Sequence, residues 1–434
     1  MFTIKTSQLK ETCAILRRAH KPFMVVGTYG IGKSQMLEQE AMEEAERSGR
    51  IYLDWNRESL AVKQDAMAHP EKYFMFVDIR ISQLDEGDLR GIPVIGNAVS
   101  LDREAELKLV TLGWVNYITK QGAAGTVFFD ELNLAKPAVT AAAYSIINDR
   151  IISDRSISPN IFIVAAGNLE SDCDLVQPIA EPLQDRFCMA QLELDKKYWL
   201  DWAAENINPY LFAFCKWDQD YIHRPAKVGS DVKAITPRGI ANASKVLEQV
   251  DFSNETAVHT ALSLCVGLDF SNRFLAYYKH VQAINWDKLK EDPASVKELD
   301  TERQFAIMGA AVSKVKEACA QSASLGEVLS QCFVPINVLT YMGADFMMAS
   351  LKQFVKIYPT YIEKNKAAAA KDKQPSISLH NILLKMFMLG STAFLKTHPE
   401  IKAPVMKGYV NDLCEGFKDR HLKVFMQLSK HLSK

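Results

Sequence analysis

Residues 27 to 34 read GTYGIGKS, and they lie between an apolar run, Phe23-Met24-Val25-Val26, and a stretch of strong helix formers, KSQMLEQEAMEEAERS, that Gly49 stops. This octet restricts the fold more than any other feature, because its glycines fit a loop that carries the chain from a strand into a helix. All four fixed positions of G-x-x-x-x-G-K-[ST] are filled, by Gly27, Gly32, Lys33 and Ser34. Glycine lets successive backbone N–H groups turn toward anionic oxygens, and the helix N-terminus behind them adds positive potential. Lysine at this position reaches the β and γ phosphates of a nucleotide, and the hydroxyl after it ligates Mg²⁺. The expected cofactors are ATP and Mg²⁺, contacted by Gly27, Thr28, Tyr29, Gly30, Ile31, Gly32, Lys33, Ser34 and Gln35.

Short apolar runs recur between helical stretches in the first half: Phe23 to Val26, Tyr73 to Ile79, Thr126 to Phe129, Ile161 to Ala165 and Met189 to Leu194. Strands alternating with helices predict a parallel sheet covered on both faces. After about residue 195 the strand-like runs fade, and ETAVHTALSLCVGL, KVKEACAQSASLGEVLSQCF and YMGADFMMASLKQFVKIY have helical periodicity. The expected fold class is α/β: a P-loop core with a parallel five-stranded sheet over residues 1–195, then an all-helical stretch over 196–290 and a helical C-terminal region over 291–434. KDKQPS at 371–376 marks a linker or helix end. The methionine stripes at 341–348 and 385–389 read as core or helix interface.

Composition excludes more than it identifies. With 48% hydrophobic residues and a formal net charge of -1, the chain has no global pull toward nucleic acid or membrane. Residues 351–434 are the exception, with 15 Lys+Arg against 6 Asp+Glu. A solvated helical face accounts for that surplus, and an anionic partner is the other reading. The eight cysteines form no C-x-x-C pair, which argues against a zinc knuckle or a disulfide framework and for reduced thiols in the cytoplasm. No export signal and no membrane span are indicated.

A phosphate cradle binds; hydrolysis also needs a metal-holding carboxylate and a group that orients water. TVFFDELN supplies both, with Asp130 placed to hold Mg²⁺ alongside Ser34 and Glu131 placed to polarise the attacking water. IFIVAAG ends at Asn168, which leaves the tip of another central strand and would orient the water or touch the γ phosphate. The charge that builds on a transferred phosphoryl group calls for a further cation. Candidates are Arg186, Arg238, Arg150 and Arg155, which spacing alone does not rank.

These motifs together resemble the MoxR-type AAA+ ATPases, a clade with helix-2 and pre-sensor insertions. The resemblance covers about residues 5–245 and rests on six blocks in order: GTYGIGKS, VDIRISQLDEGDLRGIP at 77–93, VFFDELNLAKPAVTAAAYSIINDR at 127–150, IVAAGN at 163–168, LQDRF at 183–187 and TPRG at 236–239. It implies that Lys33 and Ser34 are the Walker A pair, Asp130 and Glu131 the Walker B pair, and Asn168 sensor 1. It further implies that Arg186 is the arginine finger acting on a neighbouring protomer, that residues 196–290 form a helical lid, and that Arg238 is the sensor 2 arginine of that lid, in cis or in trans. Asp88 to Pro93 match the approach to the helix-2 insertion and Asn148 to Asn160 the pre-sensor hairpin, while Arg90 is expected to form a structural ion pair. Two departures stand out: Thr28-Tyr29 replaces the usual Pro-Pro, and residues 290–434 match no part of the family core.

The resemblance implies a homo-oligomeric ring, expected to be a hexamer, that couples ATP hydrolysis at subunit interfaces to remodelling or chaperone-like activation of a protein partner, a von Willebrand factor A domain protein being the expected class. A nucleic-acid-associated motor or nuclease-partner NTPase is the alternative, and a nucleotide-gated scaffold with little turnover is a third reading.

Overall fold

The computed structural model describes residues 1–95, 107–152, 155–172, 176–179, 181–226, 232–321, 325–343, 345–347, 349–350 and 352–354. The segments at 371–376 and 385–389, and nearly all of the basic stretch from 351 onward, lie outside the described residues. The chain divides into two compact units, one of residues 1–195 with 225–232, the other of 196–224 with 233–434.

The first unit is built on the strands β1 (Phe2–Lys5), β2 (Phe23–Gly27), β3 (Ile51–Asp54), β4 (Tyr73–Arg80), β5 (Ile92–Ile95), β6 (Leu107–Val110), β7 (Ala124–Asp130), β8 (Ile151–Ile152), β9 (Arg155–Ser156), β10 (Ile161–Gly167) and β11 (Cys188–Glu193). Seven of them form one all-parallel sheet in the order β1-β11-β2-β10-β7-β4-β3. The five expected strands are its five central ones, and β1 and β3 add an edge on each side.

Why the central strands read as unbroken apolar runs is visible in their alternation. On β4, Phe74 and Phe76 face one core cluster while Met75, Val77 and Ile79 face the other; β2, β7 and β10 divide in the same way. A parallel sheet buried on both faces has no polar side to display. Each fully buried Phe, such as Phe128 and Phe129, contributes about 1.5–3 kcal/mol of burial free energy. Helices α1 (Leu9–Arg18) and α2 (Lys33–Arg47) supply one covering layer, with Leu9, Leu37 and Ala41 in the cluster around Phe128. The other face is covered by α3 (Leu60–Ala68), α4 (Glu86–Arg90), α5 (Gly113–Ile118) and α6 (Pro137–Tyr144), each of which contributes to the opposite cluster. A last helix of this unit, α7 (Glu181–Arg186), leads into β11.

Two antiparallel hairpins interrupt the α/β rhythm. β5 pairs with β6 directly after the Asp88-to-Pro93 segment, and β8 pairs with β9 within 148–160. In the first hairpin Ile92, Val94, Leu109 and Val110 are exposed.

The described part of the second unit is helical, with α8 (Lys196–Asn206), α9 (Pro209–Trp217), α10 (Pro237–Leu247), α11 (Glu255–Cys265), α12 (Leu268–Gln282), α13 (Trp286–Glu291), α14 (Thr301–Gln321) and α15 (Leu325–Tyr341). An aromatic cluster holds it together: Phe214 of α9 lies 5.2–5.6 Å from the ring centroids of Phe270, Tyr221, Tyr277 and Phe274. α14 approaches α9 closely because residue 309 is glycine; a Cβ there would lie 3.0 Å from the Cβ of Ala213. Met342 and Met347 are buried, as a core stripe requires. Among the described residues, no helix is long and apolar enough to cross a membrane.

Candidate functional site

The sheet order brings the chemistry together. β10 lies between β2 and β7, and β4 lies on the far side of β7, so the carboxyl ends of these four strands form one row. In open α/β sheets that edge is where ligands bind.

At the end of β2 the octet makes the expected turn. Gly30 and Gly32 have φ of 76° and 94°, in the left-handed region that costs an L residue steric strain. Gly27 answers a different demand: a Cβ there would meet the Leu192 carbonyl oxygen at 2.8 Å. Gly32 caps α2 with no side-chain hydrogen bond to the first turn, and that turn contains no acidic residue. The first N–H groups of this 15-residue helix therefore keep their positive potential for an anion.

Lys33 is buried, 7% exposed, and its ammonium donates to the Gly27 carbonyl at 2.6 Å, the Thr28 carbonyl at 3.1 Å and Asn168 Oδ1 at 3.1 Å. Ser34 Oγ donates to Asp130 Oδ2 at 3.0 Å. Four residues that the sequence separates by up to 135 positions thus meet in two hydrogen bonds. Tyr29 is half-buried in the loop.

Asp130 ends β7, and its Oδ1 accepts from the Glu131 backbone N–H at 2.9 Å. Glu131 has φ of 57°, a conformation rare outside Gly, Asn and Asp that costs about 1–3 kcal/mol. The turn leads Glu131 off the strand, and its Oε2 accepts a hydrogen bond from Ser82 Oγ at 2.9 Å. Asn168 is held by a two-way bond to Asn133, which donates to its carbonyl at 2.7 Å and accepts from its N–H at 3.1 Å. Ser82 and Asn133 are positioning residues that the motif reading missed, because neither carries a signature apart from the partner it holds.

Four arginines separate once placed. Arg150 donates to the backbone carbonyls of Ser158 and Ile161 at 2.8 and 2.7 Å, and burial lowers its pKa. Arg155 donates to Asn116 Oδ1 and Thr111 Oγ1, both at 2.7 Å. Both guanidinium groups are structural ties around the β8–β9 hairpin, which corrects their candidacy as phosphate-directed cations. Arg186 is the half-buried last residue of α7. Arg238 is exposed at the second position of α10 in the second unit, behind the Thr236 cap whose Oγ accepts from Gly239 N–H at 3.1 Å. A cation there opposes the helix dipole by about 0.3–1 kcal/mol, so its placement gains nothing for the helix itself. Arg90 lies 3.9 Å from Glu86 across one helical turn.

Beside the loop a cavity of about 570 Å³ opens between the start of α2 and the tips of β3 and β4. Ser34, Asp78, Arg80, Trp55 and Trp114 are among its lining residues. Burial, together with the neighbouring Asp130 carboxylate, pushes the Asp78 carboxyl up to about 6, while Arg80 pulls the other way.

Ser34 Oγ and Asp130 fit Mg²⁺, a cation that takes hard oxygens, keeps several waters and is held by one or two carboxylates plus substrate phosphate. Among the described residues no group of three or more His, Cys, Asp or Glu side chains could hold a metal by itself, so a cation here needs the nucleotide's oxygens as well.

No protein-family model and no curated protein matches the chain. Solved structures that resemble it include NtrX from Brucella abortus in complex with ADP, at 12% identity over 72% of this chain and 64% of that one, with a TM-score of 0.29. Aeropyrum pernix ORC2, in ADPNP–ADP complexes, is similar at 10% identity over 95% of this chain and 94% of that one, with a TM-score of 0.27. At those scores neither bears on what this chain does, and the chain spans less than two thirds of the NtrX chain.

Proposed function

We propose that the chain is an AAA+ ATPase of the MoxR-like type, which works as a homo-oligomeric ring, hexameric by resemblance, and uses Mg-ATP hydrolysis to remodel or activate a protein partner in the cytoplasm. The observation that carries the nucleotide part is the pair of hydrogen bonds Lys33–Asn168 and Ser34–Asp130, which join the phosphate loop to the tips of β10 and β7. The ring, the clade and the von Willebrand factor A domain partner rest on the six sequence blocks.

On this reading the N–H groups of Gly32 and the first turn of α2 bind the phosphates and Lys33 neutralises the β and γ oxygens. Ser34 and Asp130 would hold Mg²⁺, which would supply further charge neutralisation on the phosphate oxygens. Glu131, aimed by Ser82, accepts a proton from water as it attacks the terminal phosphorus, and the bond to the leaving ADP oxygen breaks. Asn168, aimed by Asn133, orients that water or the γ phosphate. Arg186 completes the site from the adjacent protomer.

Two variants test the chemistry. Lys33→Ala should weaken ATP binding by at least about tenfold, because a charge-assisted contact to phosphate is lost. Glu131→Gln should bind ATP as the wild type does but hydrolyse it about 10²–10⁴ times more slowly, the range a general base contributes. Undiminished hydrolysis in both, read by phosphate release, would sink the mechanism. The basic surplus at 351–434 favours a nucleic-acid-associated motor as the second reading. ATPase stimulation by DNA or RNA that falls steeply with salt would select it.

A further inference from the structure

We propose that Arg80 is a cis-acting cation that touches the terminal phosphate of the bound nucleotide and makes the site distinguish triphosphate from diphosphate. The inference rests on the nucleotide-site reading above and adds a residue to it.

The placement follows from strand parity. Phe74 and Phe76 of β4 face the cluster under α2, so Asp78 and Arg80, two and four positions beyond Phe76, continue that face. On β7 Phe128 faces the same cluster, and Asp130 follows it two residues later. Arg80 pairs with Asp130 in parallel register, so the two lie on one face about 4.8 Å apart across the ladder. Arg80 and Ser34 also line the same cavity. Arg80 therefore stands next to Asp130 on the ladder, on the side away from β10, and borders the same cavity as Ser34.

Partners decide which arginine is available. Arg57, the other arginine of that cavity, is bound to Glu38 at 2.8 Å and Asp54 at 3.2 Å. Arg150 is tied to the carbonyls of Ser158 and Ile161, and Arg155 to Asn116 and Thr111. Arg80 is exposed, and among the described residues its guanidinium has no hydrogen-bond or ion-pair partner, although it is near enough to act electrostatically on Asp78. Arginine offers a planar fork of donors suited to phosphate oxygens. In such a loop the backbone N–H groups cradle the α and β phosphates, which leaves the γ phosphate as the group that a further cation at the tips of β7 and β4 would reach.

Binding measurements separate this role from a structural one. By calorimetry in Mg²⁺ buffer, the wild type should prefer ADPNP to ADP, and Arg80→Ala and Arg80→Gln should each lose about 10- to 100-fold in ADPNP affinity while ADP affinity stays within about twofold. Arg80→Lys should restore part of the preference, and Arg57→Ala should leave it intact. Equal losses for both nucleotides, or no loss for either, would overturn the inference while leaving the nucleotide site standing. A wild-type chain that binds neither nucleotide would overturn the nucleotide-site reading and this inference with it.

Discussion

Asp78 illustrates how one residue records the electrostatics of its surroundings. Its carboxyl is held at about 6 rather than 3.8, first by burial and then by Asp130. Between those values the folded chain keeps a proton that the unfolded chain has released, so the stability this group contributes is full below 3.8 and is lost as pH rises through about 6. Asp78→Asn fixes the neutral form. Its melting temperature should exceed that of the wild type by about 1–3 °C near neutral pH, with the difference vanishing as pH falls toward about 4. A difference that does not change with pH would assign the effect to packing. Residues such as Lys33, Ser34, Asp130 and Asn168 were legible in the sequence because each belongs to a short motif whose chemistry fixes the residue type. Asp78, Arg80, Ser82 and Asn133 were not, since their significance comes from neighbours 35 to 52 positions away in the chain.

Among the elements, α1 and α2 are linked by the Arg17–Glu40 ion pair, whose side chains are 12% and 1% exposed. Arg17 also donates to Thr126 Oγ1 at 3.2 Å and lies over the rings of Phe74 and Phe162, so it pins both helices to the sheet. Burial raises the pKa of Glu40, and the Arg17 charge opposes that shift. Removing the cation alone strands a buried carboxylate. Arg17→Ala should therefore cost about 3–5 kcal/mol in urea unfolding, whereas Arg17→Met combined with Glu40→Leu should recover most of the loss. A double variant as unstable as the single one would show that packing, not charge, sets the cost. Elements differ in how far the sequence announced them. The central strands are buried on both faces and read as apolar runs, but β1 and β3 bury only Ile4 and Leu53 respectively, too little to make a pattern. They exist because the exposed edges of β11 and β4 accept a parallel partner.

For the molecule as a whole, the proposed assembly makes activity depend on more than one chain. If Arg186 completes the site of a neighbouring protomer, specific ATPase activity rises with protein concentration until the ring is full. Arg186→Ala mixed with wild type should depress activity per wild-type chain, to about half or less in an equimolar mixture, because a lost arginine finger costs orders of magnitude at each mixed interface. Strictly additive activities would remove the role in trans. By itself the sequence determined the glycine turn between β2 and α2, the central strands and the helical texture of the second half, because these depend on local backbone demands and on the periodicity of burial. Tertiary structure alone decided that β10 stands between β2 and β7, that Arg150 and Arg155 are tied to Ser158, Ile161, Asn116 and Thr111, and that Arg80 stands beside Asp130. Strand order and register come from how whole faces pack, and a face is assembled from residues far apart in the chain.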